Sequence, residues 1–144
     1  MIPFNTQWDR IEKELLEAQR RAISQAASQV YKETVDRTPI GRPELWKNST
    51  VPDNYAPGAL RKAWEINWGG GFINAAASFT GKLNSVSGAS GYELGKDIFI
   101  RNRTSYALSI EYGHSRTQAP HGMMRLSVKK YKSFLEQAVA RNKV

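Results

Sequence analysis

Cysteine is absent from this chain of 144 residues, which excludes disulfides, thiol catalysis and thiolate metal sites. Histidine is scarce: His114 and His121 are the only two. They lie seven apart in one stretch with Glu111 as the one nearby carboxylate, a spacing that no common metal site uses. Long apolar runs are missing as well, and no window approaches the ~20 apolar residues that a membrane span needs. The stretch Met1-Ile2-Pro3-Phe4-Asn5 carries no basic segment followed by an apolar one, so neither membrane insertion nor secretion is expected. Without secretion, the Asn48-Ser49-Thr50 and Asn102-Arg103-Thr104 patterns mean nothing as glycosylation sites.

Catalytic patterns are also lacking. Gly81-Lys82 and Gly95-Lys96 have the end of a phosphate-binding loop, but the glycine needed five positions earlier is Ala76 in one case and Ser90 in the other. Leu83 and Asp97 stand where Ser or Thr is required. General acid–base work needs paired carboxylates or a carboxylate with histidine, and Glu111 with His114 is the one local candidate. The favoured role for Glu111 is structural, meeting backbone or arginine partners. The expectation is a protein that is not an enzyme and holds no cofactor and no metal.

What is present fits a folded domain. Apolar residues make up 40% and charged residues 24%, the balance of a globular chain, and the length suits one domain over residues 1–144. The net charge of +8 is unevenly spread. Residues 1–36 hold five Lys/Arg against six Asp/Glu, whereas residues 37–144 hold sixteen against seven. Such an excess favours an acidic partner, either nucleic acid or an acidic protein surface.

Trp8, Ile11, Leu15, Ala18, Ala22, Ala26 and Val30 recur at steps of three and four, which predicts one long helix over residues 6–35. Thr6 with Asp9 resembles a capping box, and Pro39 ends the helix near Arg37. About 30 residues at ~1.5 Å each span roughly 45 Å, against a globule diameter nearer ~40 Å. The helix is therefore expected to overhang or kink. Its alanine stripe, Ala18, Ala22 and Ala26, either packs within the chain on the C-terminal helix or meets a neighbouring subunit. On the second reading, bulky charged residues at Ala22 and Ala26 reduce assembly and leave the monomer folded.

Residues 37–57, with Pro39, Gly41, Pro43, Pro52 and Pro57, form a long irregular connection. Its Trp46 either anchors the loop to its own domain or touches a partner. A helical turn over residues 57–64 leads into a strand over residues 64–68, with Trp64, Ile66 and Trp68 on one face. A second strand follows over residues 72–79, then a Gly/Ser-rich loop over residues 81–95, a third strand over residues 96–102 and a short helix over residues 105–112 ending at Gly113. The loop at residues 114–122, which contains Arg116, is polar, and both loops are expected to be mobile until a partner orders them. The closing helix, residues 123–141, places Met124, Val128, Tyr131, Leu135 and Ala138 on one side and Arg125, Lys129 and Lys132 beside them. That basic row is either a solvated face or an electrostatic contact. The order predicts an α+β fold in which a long N-terminal helix and a C-terminal helix pack on a small antiparallel sheet.

Four segments in order, Arg37-Thr38-Pro39-Ile40-Gly41, Pro57-Gly58-Ala59-Leu60-Arg61-Lys62-Ala63-Trp64, Tyr106-Ala107-Leu108-Ser109-Ile110-Glu111-Tyr112-Gly113-His114 and Ala119-Pro120-His121-Gly122-Met123-Met124, carry a resemblance to the neck and tail-completion proteins of long-tailed bacteriophages. Ala63 departs from it, standing where serine is frequent. The resemblance implies a non-enzymatic virion protein, assembled in the host cytoplasm, that forms a homo-oligomeric ring of six or twelve subunits at the head–tail interface. It implies a head-completion or connector protein on one side, a tail terminator or tube protein on the other, and non-specific contact with genomic DNA if the lumen meets it. The alternative is a small basic nucleic-acid-binding protein using Arg61, Lys62, Arg101, Arg103 and the last-helix row on phosphates. A hydrolase or nuclease built on Glu111 and His114 ranks last.

Overall fold

The computed structural model describes residues 4–39, 58–76, 86, 88–105, 107–112 and 122–143. Trp46, Arg116, both histidines, Gly113 and most of the expected loops lie outside the described residues. The fold is α+β: a long N-terminal helix, C-terminal helices and a small antiparallel sheet.

Helix α1 runs from Phe4–Arg37, 34 residues, or about 50 Å. It starts before Thr6, so Thr6 and Asp9 lie within the helix and do not cap it. Its end is fixed by a relay of side chains. The Thr34 and Thr38 hydroxyls donate back to the Val30 and Thr34 carbonyls, each at 2.7 Å. Thr38 Oγ1 in turn accepts from the Trp64 indole at 2.7 Å, and the Tyr31 hydroxyl donates to the Trp64 carbonyl at 2.6 Å. Both threonines are buried, and back-bonding of this kind satisfies a hydroxyl where water is excluded. Burial pushes the Tyr31 phenol up to about 12.

The short helix α2, Ala59–Lys62, delivers the chain to strand β1, Trp64–Asn67. Gly58 precedes it at φ 84, a conformation glycine adopts at little steric cost. Strands β2, Phe72–Ile73, and β3, Phe99–Asn102, flank β1 in the order β2-β1-β3, both antiparallel to it. Ile66 faces Ile73 on one side and Ile100 on the other. Alternation puts Trp64 and Ile66 on the inner face with Trp68 beyond them, all buried. They join Ala27, Tyr31 and Val35 of α1 and Met123 in one core. The outer face carries Glu65, bridged by Arg101 at 3.5 Å and Arg103 at 3.2 Å, while the Arg101 guanidinium lies 3.4 Å from the Phe72 ring centroid.

The second strand and the Gly/Ser-rich segment depart from expectation. The second strand spans only two residues before a turn at residues 75–76. The end of the Gly/Ser-rich segment is anchored, not loose. A 3-10 turn, Ala89–Gly91, leads to Tyr92, which is buried. Arg20 of α1 donates to the carbonyls of Ala89, Ser90 and Tyr92 at 3.3–3.5 Å.

After α3, Ala107–Glu111, the closing helix is divided at Lys130 into α4, Met124–Lys129, and α5, Tyr131–Arg141. The Ser127 hydroxyl bonds back to the Met123 carbonyl at 3.1 Å just before the break, a contact that tends to bend helices. Helix α5 runs antiparallel to α1: Lys130 meets Glu33 at 2.7 Å, and Asn142 meets Gln25 at 2.9 Å and Arg21 at 3.2 Å. The break also turns Val128 out to solvent, at 52% exposure, away from the apolar row expected to hold it.

Candidate functional site

The pairings of α5 locate where the body of the molecule ends along α1. Asn142, just past α5, lies beside Arg21, and every described residue from Thr6 to Glu17 is exposed. Ala18, Ala22 and Ala26 lie on the covered side of this boundary, at 8, 2 and 0% exposure. Helix α5 packs along this half of α1, and its Ala138 is also fully buried. The expected subunit contact at Ala18, Ala22 and Ala26 is therefore corrected: the stripe is internal packing, because small side chains let two helices approach until no surface remains.

The same stripe continues past the boundary with larger residues. Trp8 is 55% exposed, Ile11 37%, Leu15 48% and Leu16 45%. At about 100° per residue, Trp8, Ile11 and Leu15 share one face with Ala18 and Ala22. Glu12 and Glu14 flank this face, whereas Asp9, Arg10 and Lys13 project from the other side of the helix. The result is an exposed amphipathic face, about 18 Å long over residues 6–17, with an acidic border. Scattered surface apolar residues need no explanation, but a contiguous row on one helix face marks an interaction surface.

Beside the covered half of α1 lies an open cleft of 420 Å³, lined by Ile23 and Val30 of α1, Ile98, Ile100, Val128 and Tyr131. Lys96 and Asp97 also contribute to its lining, and both are exposed.

Glu111 has the strongest local electrostatics, and its role is structural. Its carboxylate accepts from the backbone N–H groups of Met123, Met124 and Arg125 at 2.8–3.0 Å, capping α4 from a distance in sequence. Burial opposes its charge. Those three backbone donors and the Arg125 side chain more than offset that opposition and hold the carboxyl below its usual range. Both oxygens are engaged, which leaves no lone pair arranged to take a proton from a substrate. Gly122 completes the joint: at φ +98, a Cβ there would lie 2.6 Å from the Glu111 carbonyl oxygen and 2.9 Å from its carboxylate.

Among the basic residues expected to meet a partner, Arg125 is committed within the chain. Its Nε lies 3.2 Å from Glu111, its other nitrogen donates to the Glu111 carbonyl at 2.6 Å, and its guanidinium sits 4.5 Å from the Tyr112 ring centroid. Lys129 is exposed, and Lys132 is 90% exposed with Glu136 at 4.0 Å. Arg61 pairs with Asp36 at 3.2 Å. Arg101 and Arg103 share Glu65, so three of the four arginines and lysines nominated for phosphate contacts outside the last helix already have a carboxylate partner, although one carboxylate serves both Arg101 and Arg103.

Among the described residues, no group of three or more His, Cys, Asp or Glu is placed to hold a metal ion, and no helix is long and apolar enough to cross a membrane. No protein-family model, no curated protein and no solved structure matches this chain.

Proposed function

We propose that this protein is a structural subunit that assembles with copies of itself into a ring at the head–tail interface of a tailed-phage virion, where it joins or completes the tail. One observation carries the reading: among the described residues, α1 extends past the elements packed on it, with Ile11, Leu15 and Leu16 exposed. A lone domain gains nothing from such an extension, whereas a subunit of an assembly uses it as a contact. The four segments that resemble neck and tail-completion proteins supply the location. On this reading the ring, of six or twelve copies, sits between a head-completion or connector protein and a tail terminator or tube protein, and is built in the host cytoplasm. It needs no cofactor, and the engaged carboxylate of Glu111 argues against a hydrolase built on it. The carboxylate pairings of Arg61, Arg101 and Arg103 weigh against the nucleic-acid-binding alternative.

Mass photometry and negative-stain imaging of the purified chain test this. A closed ring is the expected result. A monomer that binds duplex DNA tightly, with affinity falling steeply as salt rises, would replace the proposal with the alternative.

A further inference from the structure

We infer that the exposed half of α1 docks into the cleft between α1, the segment leading into β3, and α4–α5 of a second copy of this chain, so that each subunit reaches into the next. The inference rests on the ring reading and names the two surfaces that would build it. Three features of the molecule point to the second copy as occupant.

The first is size. Trp8 to Leu15 on the exposed face and Ile23 to Val30 along the cleft wall each span seven residue steps, about 10 Å of helix. The second is chemistry. The cleft lining is aliphatic and aromatic apart from Lys96 and Asp97. Small-molecule sites pair apolar walls with several convergent polar groups, and an apolar helix face suits this lining better.

The third is charge. The docking face of α1 is bordered by Glu12 and Glu14. On the cleft side, Lys129 follows Val128 and Lys132 lies one turn beyond it, while Lys96 is in the lining, 3.4 Å from Glu93. Glu93 beside Lys96, Asp97 in the lining and Glu136 beside Lys132 are nearby acids, which leaves Lys129 as the cation there without a carboxylate partner among the described residues and the body as a whole basic by composition. An acidic extension and a basic body attract between copies and repel within like pairs, which favours head-to-tail contact over two extensions packing together. Head-to-tail contacts generate rings when the rotation closes.

The lack of cysteine makes the test direct. Leu15→Cys and Val128→Cys each replace a half-exposed side chain outside the core. Co-expressed as two separate chains, one carrying a mass tag, and then oxidised, they should give a disulfide-linked dimer of one chain of each kind. The double variant should give a ladder ending at the ring's subunit number. A dimer of Leu15→Cys with itself as the only product would overturn the inference and leave the ring standing. So would no cross-link at all in variants that still image as closed rings. Wild-type chain that remains monomeric would remove the ring, and the docking with it.

A charge exchange gives an independent check. Glu12→Lys with Glu14→Lys should raise the concentration needed for assembly about tenfold, as should Lys129→Glu with Lys132→Glu. All four changes in one chain should restore assembly. Failure to recover would overturn the pairing of these two surfaces.

Discussion

The two halves of α1 share one hydrophobic period and have opposite fates. From Ala18 onward the stripe is built of alanine up to Ala26, and it is buried against α5 within the same chain. Before Ala18 it is built of Trp8, Ile11 and Leu15, and it is exposed. Periodicity reports which face of a helix is apolar, and it is silent on where the partner comes from. Residue size carries the extra information. Alanine suits a neighbour in the same chain that the Lys130–Glu33 and Asn142–Gln25 contacts hold close, whereas large side chains in the exposed half keep enough apolar area to bind something that must arrive from outside.

The sharpest way to break the comparison is to place one charge in each half. Ala26→Glu buries a carboxylate where exposure is zero, with α5 packed over it, and should cost on the order of 4 kcal/mol. That is a large share of the 5–15 kcal/mol of roughly typical domain stability. Urea denaturation should show a much lower midpoint, together with loss of helical circular dichroism at physiological temperature. A folded variant with normal stability would mean that α5 does not cover the stripe.

The next effect concerns the joint that holds α4 and α5 in place over α1. Glu111→Ala removes an acceptor from three backbone N–H groups and from Arg125, and should cost about 2–3 kcal/mol. Because the folded carboxyl is held below its usual range, the native state keeps it ionised where the unfolded chain has begun to bind a proton. Its contribution is complete above the ordinary glutamate pKa of about 4.3 and is lost as pH falls through the lower folded value. Glu111→Gln should therefore flatten the acid limb of the stability–pH curve below about pH 4.5. An unchanged limb would mean that the carboxylate does not carry the cap.

Much of this fold was legible in the sequence. The long helix and its stop near Arg37, the strand through Trp64 and Ile66, and the structural role of Glu111 follow from periodicity, proline chemistry and the shortage of catalytic partners. The anchored segment at Ala89–Gly91 was not legible. Local composition reads Gly and Ser as loose, but the segment is held by Arg20, 69 residues away in sequence for Ala89, and no window contains both. Arg125 was misread for the same reason, since its partner Glu111 lies 14 positions earlier. The candidate site was half legible. Helix length announces an overhang, but the alanine stripe admits two readings, packing on the C-terminal helix or contact with a neighbouring subunit, and its period does not decide between them. The boundary is set by where Asn142 meets Arg21 and Gln25, a tertiary fact without a local signature.

The smallest expected change in stability completes the comparison. Ile11→Ser with Leu15→Ser alters two side chains on the half of α1 that the body does not cover, at 37 and 48% exposure. Such surface changes usually shift stability by no more than about 0.5 kcal/mol, and the lower helix propensity of serine adds only a few tenths per site by the usual scales, or roughly 0.5 kcal/mol for both. The urea midpoint of the isolated subunit should thus stay close to wild type, with an unchanged denaturant slope because the area exposed on unfolding barely changes. Assembly should fail at concentrations where wild-type chain forms rings. This dissociation of folding from assembly is what separates a contact surface from a core, and Ala26→Glu cannot show it. If the doubly substituted chain instead lost several kcal/mol, the exposed half of α1 would be part of the domain's own packing, and the contrast between the two halves would collapse.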